Sequence, residues 1–571
     1  MRQILTGLLG TVLMLNSGLV PATAQGSQIT PPRPQPVGQP ASQPAIQTAP
    51  SLTPPTSSPN PPSSAIVAQP GVPFCQLEPS QSAALAQART QAIAWLRADH
   101  ANFKVDELPK LLQQRNDAAR AYTDALNQVQ AQLKANCFER SPLQKRGMWL
   151  RAYACDGQSL AALEVIDRLL VLGITDVYLE SFYTGRTLYP SGSFASHCSQ
   201  DQGNLLRLYT QLAHARGIRL HAWIRATDFG PDYSSRYPER RLRNGFGQIA
   251  NLRNSLGDGN ASFQASALYP GTRSTEDFHW FVDPTHPAVQ KDLQQVVREV
   301  AEQGVDGVML DYIRYPVVSC TQSPEIQQGC LNRDPRLFWL FSEQGFARFL
   351  SYLRRQRPDV SPAQIDAWLN PRARRNQPFD PALAQELEAL AVTYMRDSVT
   401  ELVRQSAGTL RSFRRRSIQL SAAVWPDGNR DNPVDPRLQA YQTFPLSSGG
   451  LSPMLYAYNL TCPTTPAATS TTATGSEASK CVLAEFDRVL SARPKADFCA
   501  NLAADPPYAR ANGPRHAPLE QQAPALLSYA RSRDLNLTCV NYFAYGWLFP
   551  QHDQQRKAAC ETGLPARPKQ N

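Results

Sequence analysis

Between residues 146 and 545 the chain repeats one pattern: a short apolar run with alternating faces, then a stretch with apolar residues three and four apart. The short runs are RGMWLRAY from 146, TDVYLESFY from 175, IRLHAWIRA from 218, DGVMLDYIRYP from 306, SIQLSAAVW from 417, LSPMLYAY from 451, ADFCANLAA from 496 and LNLTCVNYFAY from 535. Alternation over runs of this length predicts eight strands. The stretches at 159–173, 204–217, 286–304, 381–408 and 523–534 have helical spacing. Strand and helix in turn predict a parallel sheet, and eight units predict a closed (β/α)8 TIM barrel over a doubly wound sheet. Gly173, Gly217 and Gly304 fall between a helix and the next strand, where a left-handed cap is wanted.

Long insertions occupy 227–285, 317–380 and 459–480, the last low in complexity and rich in Thr, Ala and Ser. All three follow strands, so they build on the C-terminal rim, where barrel active sites lie. Ahead of the barrel (145–560), residues 78–98 and 105–136 read as two helices bracketed by Cys75 and Cys137. A disulfide there makes 74–140 a stapled hairpin too small to stand alone. Residues 25–73, rich in Pro, Ser and Gln, predict a disordered linker. Residues 1–24 join Arg2, an apolar core from Ile4 to Leu15 and Ala22-Thr23-Ala24, the pattern of a cleaved signal peptide. A secreted or periplasmic monomer without a transmembrane segment is expected.

The eleven cysteines suit an oxidising compartment. Loop proximity pairs Cys75 with Cys137, Cys320 with Cys330, Cys462 with Cys481 and, more weakly, Cys155 with Cys198, leaving Cys499 and Cys539 as buried thiols. The net charge of +10 fits a solvated basic surface or an anionic envelope polymer. Arginines cluster in PRARRNQP (371–378) and SFRRRS (412–417) without interleaved aromatics, which argues against nucleic acid as a partner. No CxxC, HExxH or EF-hand spacing is present, so no metal is expected; no GxGxxG or Walker motif follows the first strand, so no nucleotide cofactor is expected.

Strand alternation then selects the barrel interior. In the fourth strand Met309, Asp311 and Ile313 face in, with Val308, Leu310 and Tyr312 out. Tyr178 and Glu180 face in on the second strand, His221, Trp223 and Arg225 on the third, and Trp149, Arg151 and Tyr153 on the first. Trp425 and Asp427 follow from the fifth, Tyr456 from the sixth, Asn541 and Tyr545 from the eighth. Carboxyl groups, cations and aromatics at one rim are the set that glycoside cleavage uses: an acid for the leaving oxygen, a second carboxylate, and faces for sugar stacking. Asp311, Glu180 and Asp427 are the catalytic candidates, and Arg151, Tyr153, His221, Trp223, Arg225, Tyr312, Arg314, Trp425, Tyr456 and Asn541 the substrate-binding ones. Other readings stand beside these: Asp311 as the buried partner of Arg314 or Arg151, Glu180 as the partner of Arg186 or Arg225, Asp427 as turn chemistry, His221 and the tryptophans as core.

RGMWLRAY, GITDVYLESFYTGRTLYPS, HARGIRLHAWI, the segment from Trp280 to Pro316 and SPMLYAY together resemble landmarks of the glycosyl hydrolase-like 10 family, exported barrel proteins related to glycoside hydrolases. The resemblance spans roughly 145–550. It implies hydrolysis of a polysaccharide, with bacterial cell-wall glycan the expected class, and a catalytic role for Asp311. Three positions depart from the family pattern: Tyr312 stands where a second acid is common, Asp283 where Asn is, and Glu180 where many relatives have a neutral residue, so the role of Glu180 comes from strand alternation and not from the resemblance. The alternative function is a glycan-binding barrel without turnover.

Overall fold

The computed structural model describes residues 74–563 apart from 76, 78, 98–107, 158–159, 199–202, 252–254, 257–278, 319, 321–322, 371–378, 414–416, 430–436, 463–480, 493–497 and 507–514. The expected signal peptide, the linker and the 371–378 arginine cluster lie outside the described residues.

All eight predicted runs form strands: β1 (Lys145–Leu150), β2 (Asp176–Tyr183), β3 (Arg219–Arg225), β4 (Gly307–Asp311), β5 (Gln419–Val424), β6 (Leu451–Leu455), β7 (Ala500–Ala503) and β8 (Cys539–Phe543). Each pairs in parallel with the next, and β8 pairs with β1, closing the (β/α)8 barrel. The outer layer holds α3 (Ala161–Val171), α4 (Leu205–His214), α5 (Pro287–Glu302), α6 (Pro381–Arg411), α7 (Val482–Ala492) and α8 (Leu519–Ser532), and α9 (Pro550–Gly563) follows β8. Gly173, Gly217 and Gly304 take φ of +70°, +69° and +97°, turning the chain from helix into strand as expected. α8 starts before its Pro524, whereas the sequence pattern began it at Ala523.

Ahead of the barrel, α1 (Pro79–Arg97) and α2 (Leu108–Leu133) form the hairpin, stapled by Cys75–Cys137. It docks through one buried carboxylate: Asp167 on α3 accepts Arg216 Nε at 2.6 Å and the Tyr122 hydroxyl at 2.8 Å, with Arg89 at 3.4 Å. An uncompensated charge there would be prohibitive; two guanidiniums and a phenol share it. The Cys75 amide donates to the Leu172 carbonyl at the turn into β2, so the hairpin is anchored at the N-terminal ends of the strands.

The barrel interior is layered. Trp149, Tyr178, Trp223, Met309, Ala423 and Met454 fill the middle. Beneath them lie His221, Asn501 and Asn541, with space left by glycines: a Cβ on Gly147 would sit 2.1 Å from Asn541 Oδ1, and one on Gly307 2.3 Å from His221 Nδ1. Tyr178, predicted inward, is inward.

Five disulfides form. The proximity pairs Cys75–Cys137, Cys320–Cys330 and Cys462–Cys481 hold, but Cys155 pairs with Cys560 and not with Cys198. The reason is α9, which returns across the end of β1: Arg556 pairs with Asp156 at 2.6 Å. Cys198 remains a buried thiol, pushed up to about 12 by desolvation. Cys499 and Cys539, expected as thiols, are joined because β7 and β8 pair with Ala500 opposite Val540, which brings their Cα atoms to 4.7 Å.

Replacing Cys155 and Cys560 by serine should cost about 2–5 kcal/mol, seen as a lower denaturation midpoint. Non-reducing peptide mapping should recover the Cys155–Cys560 peptide; a Cys155–Cys198 peptide would refute the clasp.

Candidate active site

β4 delivers Asp311 to the C-terminal mouth of the barrel and then stops, because Tyr312 adopts a left-handed conformation with φ +51°. That region is costly for a bulky side chain, and strain of this kind collects at functional sites. The Tyr312 amide donates to Asp311 Oδ1 at 2.8 Å, and the Thr227 hydroxyl lies between the carbonyls of Tyr312 and Arg314, 2.8 Å from the latter. The turn breaks the alternation. Tyr312, expected to face the helices, enters the mouth, and Ile313, expected inside, joins the outer core.

Both Asp311 oxygens are engaged, since Trp223 Nε1 donates to Oδ2 at 3.0 Å. Arg314 stands 3.9 Å from Oδ1. Burial raises the carboxyl above its usual range, against the pull of Arg314, the Tyr312 amide, Arg225 and Trp223. A carboxyl so raised is suited to hold a proton and pass it on.

Glu180 takes a different role. It is fully buried, accepting Arg151 Nε at 2.8 Å on one oxygen and Arg225 Nη2 at 2.9 Å and Nε at 3.1 Å on the other. Desolvation pushes its carboxyl up, but the two guanidiniums outweigh it and hold the group low. Arg225 also reaches Asp228 at 2.9 Å, and Asp228 lies 2.6 Å from His279 Nδ1.

A cavity of about 200 Å³ opens above these groups. Of the predicted residues, Asp311, Arg151, Trp223, Arg225, Tyr312, Arg314, Trp425 and Tyr456 line it. The others do not. Glu180 lies behind its arginines, and Asp427 turns to Arg437 at 3.0 Å. Tyr153 donates to Asp553 at 2.6 Å beneath Arg556, because β1 ends before it and alternation no longer sets its direction. His221, 2.8 Å from Asp176 and stacked on Tyr178, and Asn541 sit in the layer below Trp149 and Trp223 and do not line the cavity. Tyr545 packs in the outer core, 2.7 Å from His552.

Lining residues that were missed include His279, Met454, Tyr458, Ala503, Pro506, His516, Phe543 and Trp547. Tyr458 and Phe543 stood within the strand motifs and could have been found by extending the alternation past them. His516 is brought in by a hydrogen-bonding contact with the Tyr456 carbonyl at 3.2 Å, which no local pattern signals. The mouth is divided: its arginines come from the ends of β1, β3 and β4, whereas Trp425, Tyr456 and Phe543 come from β5, β6 and β8.

No family model and no curated protein matches this chain. Solved structures that match include the catalytic domain of beta-amylase from Paenibacillus polymyxa, at 12% identity and TM-score 0.41, covering 74% of this chain and 99% of that one. A beta-galactosidase from the psychrophilic Marinomonas ef1 matches at 14% identity and TM-score 0.42, with 70% and 54% covered. Alpha-L-fucosidase isoenzyme 2 from Paenibacillus thiaminolyticus matches at 14% and 0.37, with 73% and 49% covered. The resemblance to the glycosyl hydrolase-like 10 family therefore rests on the motifs around Trp280–Pro316 and their companions. Of its departures, Asp283 lies outside the cavity, bonded to Thr285 Oγ1 at 2.6 Å and Arg348 at 2.7 Å.

Glu180→Gln should destabilise the fold by about 3 kcal/mol, because it strands buried guanidinium charge. A carboxylate held low contributes stability above its ordinary value of 4.5 that is lost as pH falls through the folded value. The stability gap between parent and variant should therefore be widest at neutral pH and narrow below about 4.5. Equal urea midpoints at pH 7 would overturn the clamp.

Proposed function

We propose that this protein is an exported glycoside hydrolase that cleaves a polysaccharide, with peptidoglycan glycan strands as the expected polymer and Asp311 as the carboxyl group on which cleavage depends. The observation that carries this reading is a buried carboxyl, raised by desolvation, at the end of β4, at the base of an aromatic cavity in a (β/α)8 barrel. Aromatic faces stack on the C–H faces of sugar rings, and a buried acid protonates the leaving oxygen while the anomeric C–O bond breaks. The motif resemblance gives the same residue the same part. Five disulfides fit an oxidising compartment and so support export.

One observation favours the alternative of a glycan-binding barrel without turnover. Among the described residues Asp311 is the only carboxylate lining the cavity, and the other two candidates are held by arginines elsewhere. Paired-carboxylate chemistry through Glu180 or Asp427 would need those ion pairs to open.

Purified protein incubated with isolated peptidoglycan, and with glycan strands stripped of stem peptides, should release sugars detectable by mass spectrometry. Folded Asp311→Asn should release less by about two orders of magnitude or more, in line with loss of a general acid. Binding of the glycan by both proteins with release by neither would give the binding-barrel reading the lead.

A further inference from the structure

Hydrolysis of a glycosidic bond takes an acid for the leaving oxygen and a second group that attacks, or activates water, at the anomeric carbon. Asp311 fills the first part, and a histidine at the same mouth has the setting for the second. His279 lines the cavity and belongs to the insertion after β3, brought back over the strand end by an antiparallel bridge between Asp228 and Phe281. Its ring centroid lies 5.2 Å from that of Tyr312, the residue after Asp311.

The ring is oriented from behind. Nδ1 stands 2.6 Å from Oδ2 of Asp228, whose side chain is fully buried. Burial pushes the Asp228 carboxyl up, but His279, Arg225 and the Trp280 amide outweigh it and hold the group low, so it is a carboxylate and can only accept. Nδ1 therefore carries the hydrogen. In that tautomer it has no lone pair for Arg225 Nη1, which lies farther off at 3.4 Å, and the basic nitrogen of the neutral ring is Nε2. The Asp228 carboxylate is itself fixed, accepting Arg225 Nη1 and the Trp280 amide at 2.9 Å each. An imidazolium formed at His279 would meet a negative charge already in place.

We infer that His279 is the catalytic base that works with Asp311, and that Asp228 is the positioning residue that sets its tautomer. The inference rests on the hydrolase reading above and supplies its second group. Asp311 gives its proton to the leaving oxygen as the anomeric C–O bond breaks, while Nε2 takes a proton from the water whose oxygen bonds to the anomeric carbon on the opposite face. The imidazolium then passes that proton through solvent to Asp311, so one water is consumed and both groups are restored. A single displacement of this kind inverts the anomeric configuration.

The test uses the full chain, isolated peptidoglycan glycan strands, and azide as an external nucleophile that needs no base. His279→Ala should lower sugar release about hundredfold or more, the loss expected for a general base. Azide should restore release in that variant and leave a glycosyl azide detectable by mass spectrometry. His279→Gln keeps a donor for Asp228 and should lose release as well, which covers the case in which the alanine variant does not fold. Asp228→Asn should lose less and also respond to azide, a response that a purely structural defect would not give. The sugar released by the parent should show inverted configuration by NMR. Undiminished release by the His279 variants, a loss in folded His279→Ala that yields no glycosyl azide, or a product of retained configuration overturns this inference and leaves the hydrolase reading in place. Absence of release by the parent overturns both.

Discussion

Two guanidinium groups on strands that are not neighbours, Arg151 from β1 and Arg225 from β3, close on the same carboxylate, that of Glu180 on the strand between them. The mouth of the barrel depends on this clamp. Without it two guanidinium groups at the mouth would lose the carboxylate they share, and burial of unpaired charge costs several kcal/mol per ion. With it, the arginines are fixed in orientation, and Asp311 can sit beside Arg314 and beneath an aromatic wall with its carboxyl raised by burial. Both carboxyl groups are pushed up by burial; the two guanidiniums bonded to Glu180 outweigh that push, whereas for Asp311 the pull of Arg314, the Tyr312 amide, Arg225 and Trp223 does not.

The barrel was legible because its strands are short, separated by helices and buried on both sides, so period-two alternation is a faithful record of direction as long as the strand lasts. It is faithful for Trp149, Tyr178, Trp223, Met309 and Asp311. Past the strand ends it still holds for Arg151, Trp425 and Tyr456 but fails elsewhere. Tyr312 lies one residue past the end of β4, and its left-handed turn is invisible in a pattern of apolar and polar letters. Tyr153 and Asp427 fail for the same reason.

Depth was the second thing the pattern withheld. Alternation says that His221 and Asn541 point inward but not that they occupy the layer below Trp149 and Trp223, a matter of how strands are staggered around the closed sheet. Long-range pairing was the third. Cys155 and Cys560 are separated by 405 residues, and only the return of α9 across β1 brings them together. Asp228 and His279 meet likewise across an insertion, at a distance no motif spans.

The hairpin has a bearing on how the molecule is presented. Its anchor lies where the Cys75 amide meets the Leu172 carbonyl, at the N-terminal ends of the strands, whereas Asp311 opens at the opposite ends. The chain therefore joins the folded body at its base. A body held through that segment would stand like a cup on its stem, with the mouth turned away from whatever holds it and toward any polymer approaching from the far side.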